Sequence, residues 1–181
     1  MLELIGAGRL AAFAAFLLGV GLWQPVIAAE QSNIVAFAVV QGQGQTYPTD
    51  VKQGTFIGTF VGTMYTLTDQ GPQDSGDLVC PAVITFDLAD KSQIAHARCS
   101  ISNKDGAAFY GELSCTGTEL AGCNGDFKIT GGTGRFAGIT GSGKALVRAE
   151  SRSIGDKDAN GAVPEQAKGI IYWRDLQYKI P

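Results

Sequence analysis

Between residues 54 and 67 the chain alternates without a break: Thr55, Ile57, Thr59, Val61, Thr63 and Tyr65 fall on one side, Phe56, Gly58, Phe60, Gly62 and Met64 on the other. A period of two is the mark of a β-strand with two unlike faces. Glycine beside phenylalanine on a single face is how a small barrel fills its tapering interior. Seven further stretches read as strands, at residues 33–41, 78–88, 93–102, 107–116, 123–130, 139–152 and 167–180. Turn chemistry separates them, as in Asp69-Gln70-Gly71-Pro72, Asn103-Lys104-Asp105-Gly106 and the run from Gly155 to Gly161. No window beyond the first 28 residues carries a convincing helical period. Eight strands with no helices between them predict an all-β, antiparallel fold that closes into an eight-stranded barrel.

The chain begins differently. Arg9 precedes an apolar run from Leu10 to Trp23, Pro25 breaks it, and Val26-Ile27-Ala28 offers modest residues for cleavage before Ala29. That is the layout of a secretory signal, so residues 1–28 are read as a cleaved signal peptide and 29–181 as one barrel domain. A membrane anchor is the alternative, but the run is short for a span of about 20 residues. Export to a periplasmic or extracellular compartment follows from the cleaved reading. Setting aside Arg9 and Glu3, the 14 Lys and Arg and 17 Asp and Glu become 13 against 16. A mildly acidic chain with no basic stripe argues against nucleic acid as a partner.

All four cysteines, Cys80, Cys99, Cys115 and Cys123, follow the leader, an even count that suits two disulfides. Of the three possible connectivities, hairpin symmetry favours one. Cys80 and Cys99 are centred on Ala89-Asp90, and Cys115 and Cys123 on Glu119. Opposed residues of a hairpin lie within disulfide reach, which pairs Cys80 with Cys99 and Cys115 with Cys123. A zinc site would need close cysteine pairs; no spacing is C-x2-C, and His96 is the lone histidine.

The stretch GITGSGKA, from Gly138 to Ala145, has part of a phosphate loop's spacing. Ala145 follows Lys144 where a hydroxyl would hold magnesium, and no helix start follows. Strand glycines account for it, so no nucleotide and no cofactor is expected.

Ile129-Thr130-Gly131-Gly132-Thr133-Gly134-Arg135-Phe136 contains GGTGRF. It resembles the G-G-T-G-[RK]-F segment of the allene oxide cyclase-like and dirigent-like barrels, and the run from Gly54 to Thr59 is similar to that family's early glycine-rich strand. The resemblance implies an eight-stranded antiparallel barrel in which Gly131, Gly132, Gly134, Arg135 and Phe136 form a structural turn between two late strands, with the phenylalanine against the barrel. Leader and cysteines look like the exported bacterial members, mostly of unknown activity. No catalytic residue carries over from the plant enzymes, and likeness of fold is weak evidence for a reaction.

Alternation sorts the remaining polar side chains by face. Ile94, His96, Arg98 and Ser100 share one face of the fourth strand; Tyr110, Glu112 and Ser114 share one face of the fifth. In the eighth strand, Trp173, Asp175 and Gln177 oppose Tyr172, Arg174, Leu176 and Tyr178. If His96, Arg98, Tyr110, Glu112 and Arg148 pointed into the lumen, Glu112 or His96 could act as acid or base and Arg98 could hold an anion. The outward placement is favoured, since antiparallel sheets keep polar side chains on the wet side. Arg135 is expected to donate to carbonyls of its turn, and Tyr65, Tyr110, Tyr172, Trp173 and Tyr178 to sit in the core or at the barrel mouth. The leading functional expectation is an exported barrel that binds a small apolar or amphipathic ligand or a partner protein. The alternatives are an isomerase or cyclase, implied by the resemblance, and a structural protein that self-associates as a homo-oligomer.

Overall fold

The computed structural model describes residues 30–119 and 121–181. Eight strands follow one another: β1 (Glu30–Pro48), β2 (Gln53–Thr68), β3 (Gly71–Asp87), β4 (Ser92–Ser102), β5 (Ala108–Thr118), β6 (Gly122–Gly132), β7 (Thr140–Ser153) and β8 (Val163–Ile180). Each pairs antiparallel with the next, and β1 pairs with β8, so the sheet closes into a barrel in chain order. The proposed leader lies outside the described residues.

Alternation decides what fills the barrel. Ala36, Ala38 and Val40 of β1 point inward, as do Phe56, Phe60 and Met64 of β2 and Leu78, Cys80 and Ala82 of β3. Phe127 and Trp173 meet edge-to-face in the middle, ring centroids 5.4 Å apart, and are 1% and 0% exposed. Such a pair adds to the burial of two large apolar side chains. The fully buried set is apolar: among the described residues no polar or charged residue is buried.

GITGSGKA is the turn into β7 and the strand's first half, with no helix after it. Gly143 packs against the β8 backbone; a Cβ there would come within 3.0 Å of Leu176 Cα. Its glycines serve close strand approach, as a barrel requires.

Both expected disulfides are present, Cys80–Cys99 and Cys115–Cys123, with Cα separations of 4.1 and 5.5 Å. All four cysteines are therefore bonded, and no thiolate remains for a metal. The second bridge differs from expectation in one respect. The β5–β6 ladder pairs Thr118 with Gly122, so Cys115 faces Gly125 and Cys123 faces Gly117. The bridge is diagonal, and each cysteine sits across from a residue with no side chain. A Cβ on Gly125 would come within 2.5 Å of the Cys115 Cβ, so only glycine leaves the diagonal free.

Simple alternation fails in β8. Lys144 pairs with Asp175 and Ala145 with Trp173, while on the other side Ile34 pairs with Leu176 and Ala36 with Trp173. The extra residue is a β-bulge at Arg174. It turns both Trp173 and Leu176 inward, so Trp173 belongs to the core and not to the face of Asp175 and Gln177.

Candidate binding site at the barrel mouth

In a meander, every second hairpin turn lies at the same end. The β2–β3, β4–β5 and β6–β7 connections therefore gather around one mouth, beside the start of β1 and the end of β8. A cavity of about 630 Å³ opens there. Its floor and walls are apolar: Ile34, Met64, Phe109, Ile129, Ile139 and Leu176. Its rim is polar, with Thr66, Asp74, Ser75, Asn103, Lys104, Asp105 and Arg135. The volume is in the range of small-molecule pockets, about 300–1,000 Å³.

The rim is tied together by contacts between turns. Thr66 Oγ1 and Ser75 Oγ are 2.7 Å apart. Lys104 Nζ lies 3.4 Å from an Asp74 carboxylate oxygen, linking the β4–β5 turn to β3. Arg135 Nε lies 3.6 Å from Asp105, linking the β6–β7 turn to β4–β5. With its amide turned to suit both neighbours, Asn103 donates to the Ser75 carbonyl and accepts from Arg135. The Arg135 guanidinium also lies 5.0 Å from the centroid of the Phe136 ring. Four charges thus form two neutralised pairs.

The GGTGRF segment builds one side of this rim. After β6 the chain enters a short 3-10 turn, Gly134–Phe136, in which Phe136 N–H donates to Thr133 O and Ala137 N–H to Gly134 O, both at 3.0 Å. Gly134 has φ +58, a conformation that suits glycine. Thr133 N–H donates to Ala108 O at 2.7 Å, fixing the turn on β5. Phe136 then packs edge-on to Phe109, centroids 5.5 Å apart. Arg135 does not serve as a donor to its own turn's carbonyls, which are already taken by backbone N–H groups; it reaches across to Asp105.

His96, Arg98, Tyr110 and Glu112 stand on the outer wall, not in the lumen. The physical reason is the register: Ala97, Cys99, Phe109, Gly111 and Leu113 take the inward positions, and the polar residues between them face out. Arg98 and Glu112 are directly opposed and pair at 3.2 Å, with side chains 85% and 51% exposed. His96, Arg98 and Glu112 line a groove on that outer surface with Ile57, Pro81 and Val83. Arg148 is also exposed. Tyr65 and Tyr172 likewise face outward, Tyr65 stacked on Phe37 at 5.2 Å, and only Tyr178 lies at the mouth. Sequence reasoning missed Asp74, Asn103, Lys104 and Asp105 as site residues, although all but Asp74 lie in a turn that the sequence had marked. Among the described residues no cluster of three or more His, Cys, Asp or Glu could hold a metal.

The Asp90 carboxyl is held below its ordinary range, because the Ser92 side chain and backbone N–H both bond to it. It belongs to the β3–β4 turn at the far end of the barrel.

Fold and cavity define a class: an up-and-down, eight-stranded closed barrel, packed in its middle and hollow at one mouth. No family model matches the chain, and no curated protein matches it. Among solved structures it is similar to a pterocarpan synthase dirigent protein, at 8% identity and a TM-score of 0.32, over 81% of this chain and 92% of that one. The strand number, order and closure are those expected from the sequence, eight antiparallel strands closed in chain order.

Proposed function

We propose that this protein binds a small apolar or amphipathic molecule in the hollow mouth of its barrel. The observation that carries the reading is the cavity itself, an apolar bowl of about 630 Å³ beneath a polar rim. Burial of an apolar ligand there supplies the affinity, and the rim sets which end stays in water. The four rim charges neutralise each other in pairs, which suits holding an uncharged molecule more than moving a proton. Binding is therefore favoured over the isomerase or cyclase reading. Two internal disulfides suit a protein that works after export, in a periplasmic or extracellular compartment.

Titration with 1-aminoanthracene, a neutral fluorophore, tests the reading. Saturable binding to the wild-type chain is expected, and its loss in Thr66→Phe, which puts a ring into the cavity wall. Undiminished binding in that variant would refute the mouth as the site.

A second reading has its own observation. From Gln31 to Thr49 and from Gln53 to Thr68 the chain has no charged residue. The outer wall over β1–β3 carries Val39, Ile57, Val61, Val79 and Val83, each 38–52% exposed. Three strands over some nine residues present roughly 400 Å² at about 4.8 Å and 3.3 Å spacings. That is half of the roughly 800 Å² per partner of a standard interface, enough for its apolar centre. A second copy suits it, since the β1 and β2 strips carry no charge and β3 adds only Asp77 at one end of the patch. Sedimentation at high concentration that gives monomer alone would remove this reading.

A further inference from the structure

Trp173 is 0% exposed, and its indole Nε1 has no hydrogen-bond partner among the described residues. An indole N–H is a donor only, and a buried one normally finds an acceptor. Its position relative to the mouth gives the missing acceptor a source. The bulge at Arg174 makes Trp173 the next inward side chain along β8 below Leu176, which lines the cavity floor. Phe127, against which the indole packs, is likewise the next inward residue on β6 below Ile129, another floor residue. On the two flanking strands, Trp173 is paired with Ala36 and Ala145, so small side chains stand on both sides of it. Between rim and indole every inward side chain is apolar, and Met64, which closes part of the floor, is unbranched and adaptable. The other such atom among the described residues, Thr46 Oγ1, belongs to the far end of the barrel, where Thr46 pairs with Phe56 and Val163.

We propose that the Trp173 indole N–H is the donor that recognises the ligand's leading end: a single uncharged oxygen acceptor, as in a ketone, ether or alcohol, on an otherwise apolar molecule that enters by the mouth and displaces Met64 and Leu176. This inference rests on the mouth being the ligand site. It adds a chemical demand that an apolar bowl alone does not make. A carboxylate is excluded from this position, because among the described residues no charged side chain is buried in the lumen to offset its desolvation.

The chain has two tryptophans, Trp23 and Trp173, so Trp23→Phe leaves the lumen indole as the sole one. In that protein, labelled with 15N, the indole N–H gives one signal, to be followed while 2-heptanone or octane is added. The ketone should move the signal downfield; octane should leave the proton near its starting position. Adding Trp173→Phe should weaken 2-heptanone by about tenfold, since a buried carbonyl is then left without a donor, and change octane by less than about twofold. If both probes bind but the indole proton ignores the ketone, or Trp173→Phe weakens both alike, the indole is packing alone and the proposal is wrong. If neither probe binds while 1-aminoanthracene binds in a manner abolished by Thr66→Phe, ligands stop at the rim; the proposal fails and the mouth site stands. If nothing binds at all, both fail together. The spectroscopic arm needs no change at Trp173, so an unfolded Trp173→Phe would not rescue the idea.

Discussion

Gly111 sits on the inward face of β5, between Phe109 and Leu113, and the ring of Phe127 lies over it. A Cβ there would fall 2.7 Å from Phe127 Cε2 and closer still to Cζ. The ring cannot swing clear, because its other side meets Trp173 edge-on and both residues are at most 1% exposed. Gly111→Ala is therefore an overpacking change, with an expected cost of about 1–3 kcal/mol. Alanine recovers about 0.5–1 kcal/mol through its smaller backbone entropy loss. The difference spans about 0–2.5 kcal/mol, and the trapped ring puts this site in the upper part, about 1–2.5 kcal/mol. At about 2–4 °C per kcal/mol for a domain of this size, Tm should fall by about 2–10 °C. Phe127→Leu alone should also destabilise, by leaving a void. In the double variant the new methyl occupies part of that void, so the two losses should sum to less than additive by about 1 kcal/mol. Thermal unfolding followed by circular dichroism, without reductant so that the disulfides stay intact, gives all four corners of the cycle. A Gly111→Ala variant as stable as wild type, or strictly additive losses, would show that Phe127 does not pack on Gly111 as described.

Removing the Cys80–Cys99 bridge by a double alanine substitution should lower stability by about 3 kcal/mol, and removing Cys115–Cys123 by about 2.5, from loops of 19 and 8 residues; urea unfolding measures both. His96→Ala, Arg98→Ala and Glu112→Ala should each change stability by no more than about 1 kcal/mol and leave 1-aminoanthracene affinity unchanged, because they act on an exposed outer wall. Asp90 is held below its ordinary range in the folded state, so its stabilising effect is present above the unfolded value of about 3.9 and is lost as pH falls through the folded value. Asp90→Asn should then narrow its Tm gap from wild type as pH drops below about 4, and a gap that widens instead would contradict the assignment.

What could be read from the sequence was whatever depended on local period. The faces of β4 and β5 followed from alternation alone, since neither contains an irregularity before its inward cysteine. The pairing of Cys80 with Cys99 needed only the centre of a hairpin. Three things escaped. A bulge is one residue long and has no compositional mark, so nothing at Arg174 announces it: unbroken alternation groups Trp173 with Asp175 and Gln177, although the core position of Trp173 is the expected one. The β5–β6 hairpin is centred one residue beyond the expected point, at position 120 and not at Glu119, which makes an opposed disulfide a diagonal one. The mouth's rim joins Asp74 of β3 to Lys104, Asp105 and Arg135 of two turns, and only the tertiary arrangement of successive hairpins brings these together. Arg135 could be singled out within GGTGRF, but its partner lies 30 positions earlier in the chain.

The seam between β1 and β8 sets a schedule for folding. Seven of the eight ladders join neighbours in the chain and can zip from their own turns, but this one aligns Glu30 with Ile180 and Thr46 with Val163. A ribosome must release nearly the whole polypeptide before the cylinder can shut, and until then two unpatched strand borders face the solvent. Losing the final strand would leave those borders permanently bare, so a shortened product should clump rather than persist as a smaller soluble sheet.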